Sequence, residues 1–205
     1  EGPAGVTDAL AAAAVARAHG VPVAAVRSGL AGFRPGPHRA AAVGEVRGVR
    51  YVDDSKATNP HAAAASLAAQ ADATPAPGRI VWIVGGLLKG ASVDDLVAGA
   101  AHLLRAVVVI GAERGEVVAA LGRHAPDVPV AEVTTGDDEP MSDPVNDSRH
   151  DPADGPMDTA VRRAAAFARP GDVVLLAPAA ASMDQFTDYT HRGRAFADAV
   201  AGLAR

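Results

Sequence analysis

A mostly parallel α/β sheet with helices on both faces is predicted by three observations in the sequence. Short runs rich in Val, Ile and Leu, at Val49–Val52, Ile80–Val84, Val107–Ile110, Val130–Val133 and Val173–Leu176, alternate with stretches of helical composition. Several of these runs are apolar at every position, as strands covered on both faces must be. Glycine, proline and small polar clusters separate the two kinds of segment, and strand–helix alternation at this spacing builds parallel crossovers.

Composition narrows the function. Of 205 residues 49% are apolar, but 49 of them are alanine and only 3% are aromatic, so the core rests on closely packed Val, Leu and Ala. The absence of cysteine excludes disulfides, thiolate catalysis and Cys-ligated metal sites. No stretch approaches the ~20 bulky apolar residues of a membrane span. The alanine-rich start lacks a basic leader and a cleavage pattern, so a cytoplasmic chain is expected, and Glu1 in place of Met reads as an excerpt of a longer protein. The net charge is −5, of which residues 136–157 hold −6, leaving +1 on the remainder. A body so nearly neutral has no basic stripe for nucleic acid.

In order, residues 6–18 predict a helix capped by Thr7 or Asp8, and Val23 to Leu30 a second one. The run Gly32-Phe33-Arg34-Pro35-Gly36-Pro37 cannot continue a helix, which places a domain boundary near Pro35 and makes residues 1–34 a short helical tail. Val49–Val52 is a strand, with Val43–Val46 able to pair beside it. Asn59-Pro60 opens a helix to about Ala69, proline taking the first helical position where its missing N–H is no loss. Ile80–Val84 follows, then a helix capped by Ser92 with Asp94 and Asp95 in its first turn. Strand Val107–Ile110, helix Arg114–Arg123 and strand Val130–Val133 come next. The acidic, proline-dotted segment 136–157 reads as a disordered insertion. Helix Asp158–Ala168, strand Val173–Leu176 and a final helix from about Asp184 to Leu203 complete the chain.

Right-handed crossovers put the strand-to-helix loops at one end of such a sheet, where ligands bind. Those loops are Asp53–Asn59, Gly85–Ala91, Gly111–Gly115 and Ala177–Ser182. The chain uses 17 arginines and only two lysines, Lys56 and Lys89, and both lysines fall in these loops. A chain that uses Arg nearly everywhere keeps Lys where a compact, mobile ammonium is wanted. In Asp53-Asp54-Ser55-Lys56-Ala57-Thr58-Asn59-Pro60, Lys56 and a helix N-terminus suit an anion; the plain alternative is a helix cap with Asp54 pairing Lys56. Gly85-Gly86-Leu87-Leu88-Lys89-Gly90 is a glycine turn but not a phosphate-binding P-loop, a pattern absent from the chain. Ser182 and Gln185 have capping-box spacing. Arg39, just after the boundary, is either a surface residue or a cation that closes on a phosphate. The seven histidines show no metal-ligand spacing.

In this order, Pro37-His38-Arg39, DSKATN at 54–59, GGLLKG at 85–90 and ASMDQF at 181–186 resemble the C-terminal domain of the Mur ligases, and most closely its D-glutamate-adding branch. The resemblance implies a Rossmann-like domain at 35–205 that binds the incoming amino acid, with 1–34 as the end of the central ATP-binding domain. It implies an enzyme that uses ATP and Mg²⁺ to phosphorylate the carboxylate of UDP-N-acetylmuramoyl-L-alanine; the amine of D-glutamate then displaces phosphate, a step in peptidoglycan precursor synthesis. By the same resemblance Arg39 reaches the ATP phosphates, Asp54 the ribose hydroxyls, and Lys56 the nucleotide and the reacting centre as the catalytic residue. Thr58, Lys89 and Ser182 hold the carboxylates of D-glutamate, and Met183 and Tyr189 line its pocket. The family's adenine-side asparagines are Gly5 and Asp8 here. The P-loop, the metal ligands and the UDP-binding domain belong to missing N-terminal and central domains, so the isolated fragment is expected to be inactive. The alternative is a non-catalytic α/β anion-binding or interaction module derived from such a ligase. A folylpolyglutamate synthetase relative is disfavoured by DSKATN.

Overall fold

The computed structural model describes residues 3–133 and 155–204, and the chain divides into two compact units, 1–37 and 38–205. The first unit holds α1 (Pro3–Ala18) and α2 (Val23–Gly32). Leu10, Val15, Val23 and Phe33 are exposed there, and α2 has no buried residue.

The second unit starts with the strands β1 (Ala41–Val46) and β2 (Val49–Asp53), which form an antiparallel hairpin. It continues with α3 (Pro60–Asp72), β3 (Ile80–Gly85), α4 (Asp94–Ala100), a 3-10 turn, β4 (Leu104–Ile110), α5 (Arg114–His124) and β5 (Val130–Glu132). After residue 155 come α6 (Pro156–Phe167), β6 (Val173–Leu176) and α7 (Tyr189–Leu203). The sheet order is β1-β2-β6-β3-β4-β5, with every pairing beyond the hairpin parallel. The last strand thus inserts between β2 and β3, with Leu176 opposite both Asp53 and Ile83.

Every residue of β3 and β6 is buried. Alternate side chains serve two separate cores, because successive residues of a strand point to opposite faces. Trp82, Val84, Val107 and Leu175 pack beneath α3, α4 and α5. Val81, Ile83, Val108 and Val174 pack beneath α6 and α7. Ala63, Ala100 and Ala120 on one face and Ala160, Ala164 and Ala199 on the other let the helices sit close to the sheet. The indole N–H of the buried Trp82 donates to the Ala177 carbonyl at 2.7 Å, so the largest side chain leaves no polar atom unpaired.

Four expectations need correction here. α1 begins at Pro3, so Thr7 and Asp8 lie inside that helix and not at its cap. Ser92 does not occupy the cap position of α4; Val93 does, and the Ser92 hydroxyl accepts from the Asp94 N–H one residue further on. The proposed disordered insertion does not extend to 157: Pro156 starts α6 and Met157 is buried in the core, because its apolar side chain begins the buried face of that helix. Residues 136–154 of that segment lie outside the described residues. The last helix starts at Tyr189 rather than near Asp184, with Asp188 as its cap through the His191 N–H at 2.7 Å.

At the amino ends of the strands Asp172 is fully buried. It accepts from Arg79 N at 2.8 Å, Arg169 N at 2.7 Å, and both Nε and Nη2 of Arg105. Burial pushes its carboxyl up, but these donors outweigh burial and hold it below the usual carboxylate value.

Candidate functional site

The carboxyl ends of β2, β6 and β3 lie side by side, and the loops that leave them are tied together by backbone bonds. Asp54 N donates to the Leu176 carbonyl at 2.8 Å, Ala179 N to Ala57 at 2.9 Å, and Gly85 N to Pro178 at 2.9 Å. Leu87 and Ala181 exchange N–H and carbonyl at 2.9 Å in each direction, which joins the Lys89 turn to the Ser182 turn. Gly86 permits that approach: a Cβ on it would lie 2.2 Å from the Ala181 oxygen. DSKATN, GGLLKG and ASMDQF, far apart in sequence, thus form one continuous surface.

Within it, Lys56 lies with Nζ 4.5 Å from the centre of the Tyr189 ring, a cation–π contact that places the ammonium without neutralising it. Its backbone N–H donates to the His38 carbonyl at 3.1 Å. Asp54 does not pair with Lys56; its Oδ1 accepts from Ala40 N at 3.2 Å. Burial holds the Asp54 carboxyl above its usual value, helped by the neighbouring Asp53 charge and opposed most by the nearby Ser66 hydroxyl, then by the Ala40 bond and the Arg39 charge. Thr58 precedes Asn59, whose side-chain oxygen caps α3 through Ala62 N at 2.9 Å.

Lys89 is exposed at the tip of its turn with φ +56, a backbone conformation that is unfavourable for a residue with a side chain. Arg39 is exposed as well. Ser182 is buried, yet it does not act as a capping box. Its carbonyl accepts from Gln185 and Phe186, because the segment must turn across the sheet before α7 can begin. Met183 points to solvent at 60% exposure. Among the described residues neither Lys56 nor Lys89 forms an ion pair with a carboxylate, so two cations remain available at this end of the sheet.

Two further pieces hold the surface in place and were not singled out from the sequence. Arg192 of α7 is completely buried. It donates through Nε to Ser55 Oγ at 3.0 Å, through Nη2 to the Ser55 carbonyl at 2.9 Å, and through both terminal nitrogens to the Ala180 carbonyl. Ser55 Oγ in turn donates to the Tyr189 carbonyl at 2.8 Å. Burial lowers the Arg192 pKa to about 10, with Asp184 and Asp53 opposing, so the group stays charged at neutral pH. His38 Nδ1 lies 2.6 Å from Asp53 Oδ2, and the pair sits against Gly193, where a Cβ would meet His38 Nδ1 at 2.2 Å. The signal for both was the His191-Arg192-Gly193 triplet a few residues after the ASMDQF motif: a glycine inside a helix marks a close approach, and the arginine before it is buried with it.

Among the described residues no group of three or more His, Asp or Glu side chains is placed to hold a metal ion. Among the same residues no helix is long and apolar enough to cross a membrane.

A six-stranded, mostly parallel sheet with helices on both faces and two lysines on the loops at the carboxyl ends of its strands defines a Rossmann-like α/β domain. Residues 38–180 match the family model described as Mur ligase, glutamate ligase domain, and the chain belongs to that family. It is 57% identical over 202 residues to a UDP-N-acetylmuramoylalanine--D-glutamate ligase of Nocardia farcinica, a match covering 98% of this chain and 40% of that protein. The chain thus spans about two fifths of the length of such relatives. The fold is similar to UDP-N-acetylmuramate-alanine ligase MurC of Thermotoga maritima, with a TM-score of 0.61 at 16% identity over 98% of this chain and 39% of that one. It is also similar to Mycobacterium tuberculosis folylpolyglutamate synthase complexed with ADP and AMPPCP, with a TM-score of 0.50 at 19% identity over 90% of this chain and 36% of that one.

Proposed function

We propose that the chain is the C-terminal, amino-acid-binding part of an ATP-dependent ligase that joins D-glutamate to UDP-N-acetylmuramoyl-L-alanine in peptidoglycan precursor synthesis, in the cytoplasm. The observation that carries this reading is the convergence of DSKATN, GGLLKG and ASMDQF on one surface with two lysines unpaired among the described residues. The activity named for the 57% identical relative points the same way. Residues 1–34 would be the helical end of the preceding ATP-binding domain, and the remaining domains of the full-length protein would supply the P-loop, the metal ligands and the UDP site.

In this reading a carboxylate oxygen of the UDP-linked alanine attacks the γ-phosphorus of ATP, ADP departs, and an acyl phosphate forms. The D-glutamate amine, having released its extra proton to solvent, then attacks the acyl carbon; the adduct gives up a second N–H proton to water as phosphate leaves with the bonding pair. This chain's contribution is positioning. Arg39 and Lys56 offset phosphate charge, Asp54 accepts from the ribose hydroxyls, and Thr58, Lys89 and Ser182 grip the dicarboxylate while Met183 and Tyr189 border it. Fixed cations at a carboxylate give charge-assisted bonds and aim the amine.

The test uses the full-length protein with ATP, D-glutamate and UDP-N-acetylmuramoyl-L-alanine. Phosphate release requiring all three is the expected result. Release with a different amino acid would reassign the substrate, and no release under any combination would favour the non-catalytic module.

A further inference from the structure

The turn that bears Lys89 carries a puzzle. Lys89 itself makes no hydrogen bond or ion pair among the described residues, and its backbone is in the left-handed region at φ +56. The turn is closed by its own bond, from the Ala91 N–H to the Leu88 carbonyl at 3.1 Å, but a second bond anchors it from outside. The partner is on the next loop. The Leu88 N–H, immediately before Lys89, donates to Glu113 Oε2 at the start of α5. The adjacent residue, Ala112, donates its N–H to Asp184 Oδ2 at 2.7 Å. The β4–α5 loop, which bears no residue of the proposed site, is therefore braced between the Lys89 turn on one side and the Ser182 segment on the other.

We propose that Glu113 is a positioning residue: its carboxylate holds the Leu88 N–H and so fixes the turn that presents the Lys89 ammonium to a substrate carboxylate. The proposal rests on the reading of Lys89 as a substrate contact, and it deepens that reading by explaining why an exposed lysine has a defined direction. An accepting oxygen is what the turn requires, not a negative charge. Glutamine offers a carbonyl at the same reach, whereas aspartate is one methylene short and alanine offers nothing.

Amide hydrogen exchange on the 205-residue chain tests the bond directly. In Glu113→Ala the Leu88 amide should exchange roughly tenfold faster or more, with α4 amides unchanged, and Glu113→Gln should retain most of the protection. Steady-state kinetics of the full-length protein test the consequence. Glu113→Ala should raise KM for D-glutamate about tenfold with KM for ATP within about twofold, Glu113→Gln should restore KM to within about threefold, and Glu113→Asp should fall between. Adding Glu113→Ala to Lys89→Ala should do little more than Lys89→Ala alone, because the turn then has nothing to present. An unchanged Leu88 exchange rate, or a Gln variant as impaired as Ala, overturns the proposal. So does a raised KM in Lys89→Ala with none in Glu113→Ala, which leaves the reading of Lys89 intact. An unchanged KM in Lys89→Ala overturns that reading and the proposal together. If the Ala variant fails to fold, the contrast between Gln and Asp decides by the same criteria.

Discussion

At the amino ends of the strands Asp172 is buried with a guanidinium against it and two backbone N–H groups on its oxygens. At the carboxyl ends Arg192 is equally buried, but the atoms bonded to it are carbonyl and hydroxyl oxygens, with no carboxylate among them. The first arrangement cancels its own charge. The second bonds no carboxylate directly, although the nearby Asp184 and Asp53 charges oppose the effect of burial on its pKa, and the loops above it carry Lys56 and Lys89. Carboxylates show the same contrast: Asp172 is held below its usual pKa by its donors, whereas burial holds Asp54 above. Backbone strain is unevenly placed too: of the five non-glycine residues with positive φ among the described residues, His38, Ala40, Lys89 and Ala179 lie in loops at the carboxyl ends, and Arg47 lies in the β1–β2 turn at the other end. One end of the sheet is arranged for stability; the other accepts strain and unpaired charge, as binding surfaces do.

The largest effect should come from Arg192→Met. It leaves the Ser55 and Ala180 carbonyls buried without a donor, and a loss of about 3–5 kcal/mol in denaturant unfolding is expected. A loss under ~1 kcal/mol would mean that the carboxyl-end loops hold together without it. Asp172→Asn should cost less, about 2–3 kcal/mol near neutral pH, because an oxygen acceptor remains while the charge pairing with Arg105 is lost. The pH dependence gives this its sign. The folded pKa of Asp172 lies below the unfolded value of about 3.9, so its contribution is present above that pH and fades as pH falls through the folded value. The gap between wild type and Asp172→Asn should therefore close in acid. Asp54→Asn should behave oppositely. The raised folded pKa means that ionisation opposes folding as pH rises past the unfolded value, so the variant should gain on wild type over that rise. Parallel pH profiles for the two variants would break the comparison. The smallest effect is Lys89→Gly, which relieves the left-handed strain and should stabilise the chain by up to about 1 kcal/mol while weakening D-glutamate binding in the full-length protein. Thermal unfolding that shows destabilisation instead would mean that the turn is not strained.

Much of the architecture was legible because its signals are local. Ile80–Val84 and Val173–Leu176 have no polar residue that could face water, and both are fully buried strands. Asn59-Pro60 places a side-chain acceptor just before a residue that lacks an N–H, and α3 begins there. The start of α7 was misread for the same reason. Ser182 and Gln185 have the spacing of a cap, but the Leu87–Ala181 bridge and the Asp184 bond to Ala112 hold that segment across the sheet and delay the helix to Tyr189. In the candidate site the lysines stood out because this chain uses lysine only twice. Arg192 was hidden among 17 arginines, a residue type that is usually exposed, and Glu113 among ordinary loop carboxylates.

What the sequence determined by itself is the set of elements, the two-faced burial of the central strands, and the loops that bear chemistry. Periodicity, caps and turn residues act within a few positions of each other, so they can be read along the chain. Tertiary structure alone decided that β6 inserts between β2 and β3, a placement that brings the Ser182 segment against both lysine-bearing loops. It also decided that Arg192 bonds Ser55 across 137 residues and that Glu113 takes the N–H of Leu88 across 25. Bonds of that kind are selected by which buried polar groups meet once the strands have paired, and a buried donor or acceptor must find a partner wherever the fold supplies one.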